Sequence, residues 1–256
     1  MTSTMEHSKE KRERLISILF WTGLWALMAA LIRQDILIVS PWTTLKRFLQ
    51  LCMTAEFWQS VLTSMGHIIS GFLLALVMAV VLSLLSVRFS IVRILLSPFV
   101  SVIKAVPVAS FIILVLIYVP SEKLSVVISF LMAFPILYEN LLEGIRSCSR
   151  ELMEMAKVFR LSRKTLIRDI CFSQVLPYLR AGMSLAVGLA WKSGIAAEVI
   201  GMPDHSIGEH LYESKIYLDT PDLFAWTLAV ILLSLLFEKL MEKLLGRLSS
   251  MIEGKE

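Results

Sequence analysis

Val61 to Val87 holds no aspartate, glutamate, lysine or arginine. A helix crosses the hydrocarbon core of a bilayer with about 20 predominantly apolar residues, so this run is longer than one crossing requires. It either starts outside the hydrocarbon or tilts through it. Composition agrees: 57% of the 256 residues are hydrophobic, 18% are charged and the mean hydropathy is +0.75. A soluble domain has about 45–50% apolar and about a quarter charged residues. A soluble core of this size cannot hide so much apolar surface, which makes lipid the solvent. The expected fold is therefore all-α and polytopic.

Other runs complete the pattern. Leu15 to Ile32 is charge-free and is read as an uncleaved first span. Ala26, Ala29 and Ala30 are small, but the run exceeds the roughly 7–15-residue apolar region of a signal peptide. Ser40-Pro41 followed by Trp42-Thr43-Thr44 predicts a turn and a helix start, and Phe57 and Trp58 suit interface anchors. A third span is expected over 94–119, with Pro98, Pro107 and Lys104 inside it. Membrane helices tolerate proline because neighbours satisfy the freed backbone groups. A fourth is expected over 124–145, bent at Pro135. A fifth follows over 181–200, interrupted by Lys192 and Glu198, and a sixth over 223–245. Residues 201–222 are polar, with five acids against Lys215.

Basic residues set the orientation. With six spans, residues 1–14, 88–93, 146–180 and 238–256 share one side and carry 18 lysines and arginines. The other side carries 5. Both termini are thus expected in the cytoplasm, as tails over 1–14 and 246–256 around a transmembrane domain over 15–245. A five- or seven-span chain breaks this asymmetry.

The longest polar interval is Glu151 to Arg180, within a cytoplasmic loop over 146–180. It has no glycine and one proline, Pro177, so it reads as folded. Leu152, Met155, Ala156 and Phe159 recur at i, i+3, i+4 and i+7, one apolar helix face. Ser162 can cap a second helix from Arg163, with Leu166, Ile167 and Ile170 on one face, and Pro177 marks a bend before the fifth span. The product is a helical hairpin with an apolar stripe and a basic rim. It suits either an anionic lipid surface or a cytoplasmic partner.

Few residues carry chemistry. Lys192 lies about eight residues, roughly 12 Å of helix, from the outer end of its span. A lysine there lines a pathway for an anion or pairs with a neighbouring helix. Glu198 does not share its helix face and is placed at the outer mouth. Lys104 is read as snorkelling. Glu139 and Glu143 are expected to pair with arginines of the hairpin. His67, His205 and His210 are scattered, and Cys52, Cys148 and Cys171 form no framework, so neither metal nor disulfide is expected.

The hairpin resembles the "EAA" cytoplasmic loop of ABC-transporter permeases of the binding-protein-dependent type. The matching residues are Glu154-Met155-Ala156, then Arg160 at the family's glycine place, and Leu176-Pro177 at the end. Met155 replaces an alanine and Arg160 the glycine, and glycine is favoured where φ is positive. Gly182 to Gly201 is similar to the helix after that loop in the branch importing nitrate, taurine, sulfonates and thiamine-pyrimidine precursors. Phe57-Trp58, Ser64, Gly71-Phe72, Pro98, Pro107, Phe134-Pro135-Ile136 and Gly144 also sit where that branch has similar residues. The resemblance covers roughly residues 40–245.

It implies a type I importer permease fold of six spans. It also implies pairing with a second permease copy, docking to cytoplasmic ATP-binding subunits, and delivery of solute by an extracellular or periplasmic binding protein at the cell membrane. Coupling would fall to Glu151, Glu154, Met155, Ala156, Phe159, Arg160, Leu161 and Ser162, and the pathway to Lys192, Trp191 and Glu198. The chain has no G-x-x-x-x-G-K-[ST] stretch, so hydrolysis belongs to a partner. No cofactor is expected, and no nucleic acid. The rival readings are an ion-coupled secondary transporter, which needs paired acids or an inverted repeat, and a membrane enzyme, which needs clustered catalytic groups.

Overall fold

The computed structural model describes residues 2–32, 34, 36–149, 151, 154–155, 158–159 and 171–253. Among these the chain is helical, without strands: α1 (Thr2–Ile32), α2 (Pro41–Leu51), α3 (Ala55–Arg88), α4 (Ser90–Ala105), α5 (Val108–Leu116), α6 (Ser121–Arg146), α7 (Phe172–Gly201), α8 (Ile207–Ile216) and α9 (Thr220–Glu253). Five helices are long and apolar enough to cross a membrane, or six if α4 and α5 count as one span.

The expected third span is where sequence and structure part. It is broken at Val106-Pro107, and the axes of α4 and α5 diverge by 106°. Pro107 brings no N–H and pushes the residue before it out of the helical region. Val106 is accordingly extended, at φ −82° and ψ 132°. Pro98 and Pro135, by contrast, lie inside continuous helices. So does Pro177, since α7 starts at Phe172. The polar segment after α7 contains a helix of its own, α8. α2 starts as expected, with the Ser40 hydroxyl accepting from Thr43 N–H at 3.2 Å and Pro41 in the first turn.

Two compact units divide the chain. The first comprises Met1–Trp58 and His210–Val230. In it, Trp25 Nε1 donates to the Val39 carbonyl at 2.9 Å and its ring stacks on Phe224 at 5.8 Å. Phe57 lies between Phe48 and Trp226, and His210 lies flat on Trp226 at 4.5 Å. Arg47 clamps Asp222 through both Nε and Nη2, the latter at 3.0 Å. Hydrogen bonding to that carboxylate pushes the Arg47 pKa above its ordinary value.

The second unit comprises Gln59–Glu209 and Ile231–Glu256. Its spine is the antiparallel pair α6 and α7. Lipid tails are as apolar as leucine, so close approach and hydrogen bonds hold membrane helices together. Gly182, Ala186, Ala190 and Gly194 recur every fourth residue and are all buried. Gly182, Ala190 and Gly194 meet small or polar residues of α6. A Cβ on Gly194 would fall 2.6 Å from Ser129 Oγ, and one on Gly182 would fall 2.8 Å from Asn140 Cβ. Ser129 Oγ donates to the Ala190 carbonyl at 3.1 Å. α3 closes on α6 in the same way, where Gly71 lies against the Val126 carbonyl.

Candidate functional site

α7 has two faces. Gly182, Ala186, Ala190, Trp191, Gly194, Ala197 and Glu198 are buried. Ala181, Leu185 and Lys192 are exposed, and Gly188 and Ala196 on the same side are half-buried. These five recur at steps of three or four residues, so one stripe of the helix lies open and Lys192 is its only charge. Lys192 has no hydrogen bond or ion pair among the described residues. It stands roughly 13 Å of helix from Gly201, deep enough that an ammonium group needs water or a counter-charge.

Six residues on, Glu198 has the opposite surroundings. It is fully buried, not at an open mouth as expected from the sequence. The Ser64 hydroxyl donates to Glu198 Oε2 at 2.6 Å and itself accepts from Ile207 N–H at 2.9 Å. Gly208 N–H points to the same Oε2 at 3.4 Å. The first N–H groups of a helix have no partner within it, and a carboxylate at that end is favourable. In α8 these donors are met from outside by Ser64 and Glu198. From within, Ser206 Oγ accepts from Glu209 N–H at 3.0 Å. Gly208 is required here, since a Cβ would overlap Cβ and the carbonyl carbon of Glu198. Ser125, also fully buried, is a further polar neighbour of the Glu198 carboxylate.

Trp191 also faces inward: its ring is 1% exposed and lies 6.3 Å from Phe237. Of the three pathway candidates, only Lys192 reaches the open face. Lys104 is not a free snorkelling chain. Its ammonium bonds both oxygens of Glu139, at 2.8 and 3.0 Å, beside the break between α4 and α5. Glu139 is thereby paired with a lysine of the spans, while Arg160, Arg163 and Arg168 of the hairpin lie outside the described residues. Among the described residues no three His, Cys, Asp or Glu side chains are placed to hold a metal.

In the loop between α6 and α7, Glu151, Glu154, Met155 and Val158 are helical, and Phe159 N–H donates to the Met155 carbonyl at 2.9 Å. All five are exposed, Val158 by 79% and Phe159 by 70%. Ala156, Arg160, Leu161 and Ser162, and the second helix of the expected hairpin, lie outside the described residues.

Long apolar helices held by a small-residue spine define a polytopic helical membrane protein. The chain belongs to the family of binding-protein-dependent transport system inner membrane components, whose sequence model matches residues 71–250. It is an ABC transporter permease. It is 23% identical over 229 residues to a probable ABC transporter permease of Brucella melitensis, covering 89% of this chain and 92% of that one. It is 25% identical over 160 residues to the bicarbonate transport system permease CmpB of Synechococcus elongatus, covering 62% and 57%. With the nitrate import permease NrtB of the same organism it shares 30% identity over 120 residues, covering 46% and 43%.

Proposed function

We propose that this chain is the permease subunit of an ATP-driven importer for a small anion, with both termini in the cytoplasm, and that it works as a pair of copies. The observation that carries the reading is Lys192, an exposed cation deep in a span on a stripe otherwise made of small and apolar residues. A membrane lysine facing a cavity stabilises a passing anion without holding it in a cage. Trp191 and Glu198 support that face from behind, by packing and by fixing α8. Relatives named for nitrate and bicarbonate transport agree with an anionic solute. An external binding protein delivers the solute, and separate cytoplasmic subunits hydrolyse ATP.

Coupling to those subunits runs through residues 151–170. Met155, Val158 and Phe159 offer an exposed apolar contact among charges, the type of surface a groove in a partner takes up. The test is co-purification with the ATPase subunit from membranes. Met155→Asp with Phe159→Asp is expected to abolish association while leaving the permease monodisperse. Association at the wild-type level would refute the docking segment.

A further inference from the structure

The helix between the first two spans carries a surface that transport does not explain. Placed at 100° per residue, α2 divides into three sectors. Thr44, Phe48 and Leu51 face protein: Thr44 and Leu51 are buried, and Phe48 meets Phe57 edge-on at 6.0 Å. Thr43, Lys46, Arg47 and Gln50 form a polar sector. Trp42, Leu45 and Leu49 form the third sector and are 74%, 42% and 52% exposed. Met53, one turn further on, extends that apolar stripe beyond the helix end and is exposed.

A helix bordering only protein and water has no use for a third, apolar sector. The depth of α2 supplies the missing medium. Trp25 Nε1 holds the Val39 carbonyl, two residues before α2. Trp25 lies seven residues, roughly 10 Å of helix, short of the end of α1 at Ile32. The residues from Trp25 to Ile32 belong to the apolar span Leu15–Ile32, whose large side chains are almost all exposed. Thr220 Oγ1 donates to the Ile36 carbonyl at 2.6 Å and ties the same loop to the first turn of α9. The start of α2 is thus fixed alongside the apolar end of α1, not beyond it. Trp58 adds a second tryptophan of membrane-boundary character, its ring half exposed while Nε1 donates to the Cys52 carbonyl at 2.9 Å.

We propose that α2 is an interfacial helix whose partner is the phospholipid bilayer. Trp42, Leu45, Leu49 and Met53 enter the boundary between headgroups and acyl chains. Lys46 and Gln50 face water, and Thr44, Phe48 and Leu51 pack on protein. Which leaflet it occupies rests on the orientation proposed above; its burial in lipid does not.

The test uses the full-length chain in phospholipid vesicles and in cells. Lys46→Cys and Leu49→Cys replace exposed side chains and are labelled with a membrane-impermeant maleimide above the wild-type background. Lys46→Cys is expected to react at least tenfold faster than Leu49→Cys. In vesicles of bromine-substituted phosphatidylcholine, tryptophan emission is expected to be quenched more in the wild type than in Trp42→Phe. Equal labelling rates would overturn the proposal. So would protection of Leu49→Cys without quenching of Trp42, which assigns the sector to a second copy or a protein partner. Labelling of Lys46→Cys only after cells are permeabilised would refute the orientation and leave the interfacial assignment standing.

Discussion

Glu198 and Lys192 sit six residues apart on α7, and one is sealed in the protein while the other stands open. The contrast separates two uses of charge in a membrane helix. Glu198 spends its hydrogen-bonding capacity on the chain itself, tying α7 to α3 through Ser64 and to α8 through Gly208. Lys192 spends none on the described residues, and on the reading proposed above it meets the solute. An ionisable residue within a span marks function by default. Burial and hydrogen bonding show that Glu198 is used within the fold.

That division is open to attack by substitution, beginning with the largest expected effect on folding. Gly208→Val drives a branched side chain into the backbone of Glu198 and is expected to cost about 2 kcal/mol or more. Detergent-extracted protein should then lose its monodisperse peak on size-exclusion chromatography. Glu198→Ala strips an acceptor from Ser64 and from the start of α8, a loss of about 1–3 kcal/mol. Its melting temperature should fall clearly, and that of Glu198→Gln, which keeps an acceptor oxygen, by less. If Glu198→Ala melts with the wild type, the buried carboxylate is not the tie described here. Lys104→Met and Glu139→Gln break a pair whose side chains are about half exposed. Such pairs are worth about 0–1 kcal/mol, so thermal melting should barely move. Lys192→Met should leave melting unchanged.

Much of this was legible in the residues, and the exceptions have physical causes. The charge-free runs and the lysine and arginine asymmetry carry the spans, because lipid leaves few alternatives to a helix. The break at Pro107 was within reach, since an X-Pro step disfavours a helical residue before the proline. Pro98 shows why it was not decisive, being a proline that α4 absorbs. The ladder Gly182, Ala186, Ala190 and Gly194 was in plain view as small residues at four-residue spacing. The surroundings of Glu198 were not, because Ser64 is 134 positions away in sequence. Local spacing placed Glu198 correctly off the face of Lys192 but could not tell an open mouth from a pocket closed by α8. Lys104 misled for the same reason: Glu139, its partner, is 35 residues away.

The central claim is that an anion passes the open face of α7 under the drive of ATP. Its most direct test is uptake of labelled nitrate, bicarbonate or sulfonate into proteoliposomes holding the permease, its ATPase subunits and the binding protein. The wild type should accumulate one of these anions only with ATP, and Lys192→Met should fall at least tenfold at equal amounts of assembled complex. Undiminished uptake by Lys192→Met would contradict the account.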